Sequence, residues 1–108
     1  MEEPEFKKHS DETLTSLHRD LMLAGDDYGF ESSLNAGAIT ITFHKPHGKF
    51  TVTGDSATSQ IKVLAGTRTY KLDWDIVENA FVHNETSQSL KDLVEQAISK
   101  HLKQDAQL

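Results

Sequence analysis

The hydrophobic positions of this chain change period twice. Phe6, Leu14, Leu17 and Leu21, with Ser10 between them, recur at three- and four-residue steps, the spacing of one helix face. Pro4 suits a first helical turn, where its missing N–H costs nothing, and Gly25 reads as a stop. The spacing predicts a first helix from about Pro4 to Ala24. From Phe30 the period becomes two. Phe30, Ser32 and Leu34 alternate with Glu31 and Ser33. After an Asn35-Ala36-Gly37 turn, Ile39, Ile41 and Phe43 alternate with Ala38, Thr40 and Thr42. A turn over His44-Lys45-Pro46-His47-Gly48 leads to a strand at Lys49–Thr53. Further short strands are expected at Gln60–Ala65, Thr69–Leu72 and Ala80–His83. The helical period returns with Leu90, Leu93, Val94, Ala97 and Ile98, behind a Ser89…Asp92 capping pattern. A polar tail follows from about residue 103.

This order predicts an α+β fold, a two-layer α/β sandwich. Its N- and C-terminal helices pack on one face of a twisted antiparallel sheet of about six strands. Leu17, Leu21, Ile39, Ile41, Phe43, Leu93 and Ala97 are expected to share its core. The length of 108 residues suits one domain over residues 1–108.

Charge adds a second asymmetry. The net charge is −6, and all of it falls in the first 31 residues. Glu2, Glu3, Glu5, Asp11, Glu12, Asp20, Asp26, Asp27 and Glu31 stand there against Lys7, Lys8 and Arg19. Such a field attracts cations and basic protein surfaces and repels nucleic acid and anionic membrane. With no cysteine, disulfides and thiolate metal ligation are excluded. No apolar run is long enough to span a bilayer, and the acidic start resembles neither a signal nor a transit peptide. A soluble, cytoplasmic protein is expected. Gly-rich phosphate loops, nucleophile elbows and zinc-protease helices are lacking, so no enzyme is expected.

Asp20, Asp26, Asp27 and Glu31 fall at the expected junction of helix and strand, where a turn gathers neighbouring carboxylates. Oxygen-only ligands suit hard cations such as Fe²⁺, Fe³⁺, Mg²⁺ and Mn²⁺, and exposed ones bind weakly with fast exchange. A solvated acidic loop explains the same residues, and composition alone favours it. His44 and His47 share a turn that Pro46 accounts for without a metal, and two ligands close no site. On a helical wheel Asp11, His18 and Met22 share an exposed flank, with Asp20 across the apolar stripe. Met22 and Leu23 point away from that stripe, either buried by a turning helix end or left as a patch for a partner. Trp74 and Tyr70 read as packing residues.

Four segments resemble the frataxin family, including its bacterial CyaY members. They are Asn35-Ala-Gly-Ala-Ile-Thr-Ile-Thr-Phe43, Gln60-Ile61, Tyr70-Lys-Leu-Asp-Trp74 and Leu90-Lys-Asp-Leu-Val-Glu-Gln-Ala-Ile98, in the family's order and spacing. The resemblance implies a frataxin-like, monomeric iron chaperone or regulator of iron–sulfur cluster assembly. It implies weakly bound Fe²⁺ or Fe³⁺ on Asp20, Asp26, Asp27, Glu31 and Asp11. It also implies docking to a cysteine desulfurase and an iron–sulfur scaffold through Gln60, the position of Lys62, Trp74 and Met22. Two departures weaken this. The last turns of the expected helix read His18-Arg-Asp-Leu-Met-Leu23, which thins the family's acidic ridge, and Lys62 stands where the family has an exposed Trp. Thr53 and Ala57 replace the Asn and Pro that usually precede that Trp. A metal-independent acidic protein-binding module, such as a small dimeric secretion-type chaperone, is the alternative from another class.

Overall fold

The structure, a computed structural model, describes residues 2–35, 37–44, 47–66, 68–103 and 108. Helix α1 (Glu3–Tyr28) leads into strands β1 (Phe30–Asn35), β2 (Ala38–His44), β3 (His47–Asp55) and β4 (Gln60–Ala65). Strands β5 (Arg68–Asp75), β6 (Ala80–His83) and β7 (Gln88–Ser89) follow, and helix α2 (Leu90–Leu102) closes the chain. Among the described residues the seven strands form one sheet in sequential order, every neighbouring pair antiparallel.

The period-two pattern makes this sheet one-sided. Phe30, Ile39, Ile41, Phe43, Phe50, Val52, Ile61, Val63, Leu72 and Phe81 are all buried. The register aligns them: Phe30 lies opposite Phe43, Ile41 opposite Phe50, Val52 opposite both Ile39 and Val63, and Ile61 opposite Leu72. Both helices sit on that face. From α1, Phe6 packs edge-on against Phe81 of β6. From α2, His101 lies on Phe43 and Phe50, ring centroids 4.3 and 5.5 Å away. Leu14, Leu17, Leu21, Leu93, Val94 and Ile98 complete the core, with Ala97 only partly buried at its margin. The opposite face carries Thr40, Thr42, Thr51, Thr53, Lys62 and Lys71 and faces solvent.

Several element boundaries differ from the sequence expectation. Helix α1 does not stop at Ala24 but runs to Tyr28. Gly25 is buried inside the helix, where a Cβ would collide with the Phe30 carbonyl, so its role is close approach. The stop is Gly29, left-handed at φ 76°, whose N–H donates to the Gly25 carbonyl at 2.8 Å. The sheet has seven strands because Gln88–Ser89 adds a two-residue pair to β6, too short for an alternating pattern. Strands β3 and β5 are longer than expected, and His44, His47 and Gly48 lie in paired strands. Ala36, Lys45 and Pro46 of the expected turns lie outside the described residues, as does most of the expected tail. Helix α2 begins as expected, with the Ser89 hydroxyl accepting from the Asp92 N–H at 3.3 Å.

Two substitutions test this packing by chemical denaturation. Ile41→Ala removes a fully buried side chain and should cost about 2–5 kcal/mol. Gly25→Ala improves intrinsic helix propensity by about 1 kcal/mol yet should lower stability, because forcing a methyl into a filled contact costs about 1–3 kcal/mol. A Gly25→Ala variant more stable than the parent would contradict the helix–strand contact.

Candidate functional site

The extension of α1 changes the setting of the acidic residues. Asp26 and Asp27 are exposed in its last turn, which holds no basic residue. Unsatisfied carbonyls make a helix C-terminus partially negative, so carboxylates there are each disfavoured by about 0.3–1 kcal/mol. The two project about 100° apart around the axis rather than side by side. Their neighbours one turn back are Met22 and Leu23, 58% and 70% exposed, which settles the open question at that helix end in favour of an exposed pair.

The other candidate ligands lie elsewhere. Asp20 faces α2, its carboxylate 3.7 Å from the Lys91 ammonium. Asp11 approaches Gly37 at the far end of the β1–β2 hairpin. At about 1.5 Å per residue it stands roughly 22 Å along the helix from Asp26. Glu31 belongs to the solvent face of the sheet, opposite Thr42, with Oε1 3.8 Å from His44 Nε2. The other side of β1 meets the helix, where His18 Nδ1 and Ser32 Oγ share a hydrogen bond of 3.1 Å. Among the described residues no three His, Asp or Glu side chains converge as a metal cluster. The carboxylates are therefore spread along α1 and onto the solvent face of β1, and among the described residues they form no cage.

The docking candidates divide between the two faces of the sheet. Gln60 and Lys62 are on the solvent face of β4. Gln60 Nε2 donates to Asp73 Oδ1 at 2.9 Å, and the Asn84 amide donates to the other Asp73 oxygen at 2.6 Å. Lys62 Nζ lies 2.8 Å from Asp55 Oδ2 and directly opposite Lys71 across the strands. The hydrogen bond from Lys62 holds the Asp55 carboxyl below its ordinary pKa, and the Ala57 N–H adds to this. The pair therefore favours the folded state above the ordinary carboxylate range, and that contribution is lost as pH falls through the depressed value. Trp74 is on the helix side, stacked on His9 at 4.0 Å and edge-on to Phe81 at 5.1 Å, which is a packing role. Met22 lies apart from all of these, on α1.

Several contacts had no signal in the sequence. His9 on Trp74, His101 on Phe43 and Phe50, and Lys91 beside Asp20 each join residues far apart in the chain. Only a helical wheel combined with a known sheet register finds them.

The sequence model of the frataxin-like domain matches residues 1–104. Among solved structures, the frataxin from Psychromonas ingrahamii, of the CyaY protein family, superposes with a TM-score of 0.83. It covers 99% of this chain and 97% of its own at 16% identity, so it speaks for the fold. No curated protein sequence matches. With two helices on one face of a meandering antiparallel sheet, and with a family match over nearly its whole length, this chain belongs to the frataxin family.

Proposed function

We propose that this protein binds iron weakly at the C-terminal corner of α1 and serves iron–sulfur cluster assembly in the cytoplasm. In this reading it is a chaperone or regulator and not a catalyst. One observation carries the reading beyond family membership. The last turn of α1 holds two exposed carboxylates against the negative end of its own helix, and that turn itself carries no basic residue. Folding tolerates this arrangement, and a bound cation relieves it. Asp26 and Asp27 are the primary ligands, while Glu31, Asp20 and Asp11 extend the negative field around them. The iron is cargo, held by side chains that let it go again.

The partners this reading implies are a cysteine desulfurase and its scaffold, which the acidic first helix would meet through complementary charge. Lys62 offers a flexible charge already engaged by Asp55 and little apolar area. It steers an encounter better than it anchors one. The secretion-chaperone alternative calls for an apolar helix face free to pair with a second copy. Here the apolar stripe of α1 is buried on the sheet, which favours the frataxin reading.

Two experiments test this function. In an anaerobic Fe²⁺ titration followed by amide NMR, residues around Asp26 and Asp27 should broaden first. Asp26→Asn with Asp27→Asn should abolish that response while raising stability by about 0.3–1 kcal/mol per site. A titration unchanged by the double substitution would remove the iron site from this corner. For docking, Lys62→Trp should tighten binding to a desulfurase–scaffold assembly by about tenfold or more, mainly through slower dissociation. Tight binding by the parent protein at high salt, or no gain from the Trp, would overturn the assignment of this position.

A further inference from the structure

The closing pair of the β2–β3 hairpin is His44 opposite His47. Both side chains belong to the solvent face of the sheet, in line with Thr42 and Lys49, and both residues are exposed. Directly opposed residues in an antiparallel pair hold their Cβ atoms about 4.5–5.5 Å apart. Strand β1 supplies a third donor, Glu31, with its carboxylate oxygen 3.8 Å from His44 Nε2. We propose that Glu31, His44 and His47 form a surface site for an imidazole-preferring divalent transition metal, for which Zn²⁺ is the test ion. This site goes beyond the iron reading above: its two imidazoles stand apart from Asp26 and Asp27, the primary ligands of that reading, and the two sites share only the outlying Glu31.

Two imidazoles and one carboxylate are a ligand set that suits Zn²⁺, Cu²⁺ and Ni²⁺ and does not suit Mg²⁺ or Ca²⁺. With metal–donor bonds near 2.0–2.1 Å, neighbouring donors on a tetrahedral ion stand about 3.4 Å apart. The separation of Glu31 and His44 is already within a small rotation of that distance. In the structure the three side chains do not converge on one point. His47 has to turn about its own side-chain torsions, which exposure on a hairpin end permits. The backbone register places all three on one face, so no main-chain movement is required. The fourth position is left to water. The competing explanation is a simple surface ion pair between Glu31 and a protonated His44, worth little in stability.

The experiment is a Zn²⁺ titration of the full chain at pH 7.5, by calorimetry and amide NMR, repeated with His44→Ala, His47→Ala and Asp26→Asn with Asp27→Asn. Shifts should centre on residues 31, 44 and 47. Each His substitution should weaken binding by at least about tenfold, as loss of a ligand costs no less than loss of its supporting contacts. The double Asp variant should leave Zn²⁺ affinity within about twofold, because these groups lie outside the ligand set. Affinity should fall steeply between pH 7 and 5.5, where imidazole takes up its proton, whereas an all-carboxylate site would stay nearly flat over that range. Both His positions are exposed, so the variants should melt with the parent. Zn²⁺ binding that survives the loss of either histidine, or that maps to Asp26 and Asp27, overturns the proposal. So does the absence of any metal-induced shift at the hairpin. The outcome of the iron titration at the α1 corner leaves this result untouched.

Discussion

The contact between Gly25 and the Phe30 carbonyl controls the corner where α1 hands over to the sheet. A side chain at position 25 would push β1 away from α1, and Phe30 could not then sit under the helix beside Phe43. With only hydrogen there, the strand starts against the helix flank. Chain direction reverses at Gly29, which ends the helix in the left-handed conformation. Tyr28 packs that turn against the core, while Asp26 and Asp27 point away from it into solvent. The same contact sets the depth at which β1 lies, and so fixes which of its residues face the helix and which face water.

One-sided burial then divides the labour. Apart from Leu64 of β4 and Val82 of β6, the large apolar strand residues point to the helices, so the core is built on one face. That face is free to carry threonines, lysines and the histidines of β2 and β3, and changes there leave the core contacts in place. The facing lysines of β4 and β5 illustrate this freedom. Like charges directly opposite one another are disfavoured, and Asp55 offsets one of them from the end of β3.

The fold was legible because each element repeats its own period over enough residues. Six of the seven strands and both helices announce themselves through the spacing of their apolar residues. What stayed hidden depends on partners distant in sequence. Gly25 reads as a stop when only its helix is considered, and becomes a contact residue once Phe30 returns against it. The short β7 has no apolar alternation to display. At the acidic corner, residue identity was plain but orientation was not, since one added helical turn parts Asp26 from Asp27 and the β1 register turns Glu31 to the far face. His44 and His47 looked like half a site because the carboxylate beside them comes from the neighbouring strand.

Trp74 is the only indole in the chain, and its ring is held between His9 of α1 and Phe81 of β6. Intrinsic fluorescence of this protein therefore reads one seam, where the start of the first helix closes over the β5–β6 hairpin. Opening free energies are not uniform across a fold, and helix ends are among the first parts to release. Detachment of the opening turns of α1 would change the emission while the sheet and α2 kept their circular dichroism. A melt followed by emission alone reports the closure of that seam, and only its coincidence with a backbone signal makes it a measure of the whole molecule.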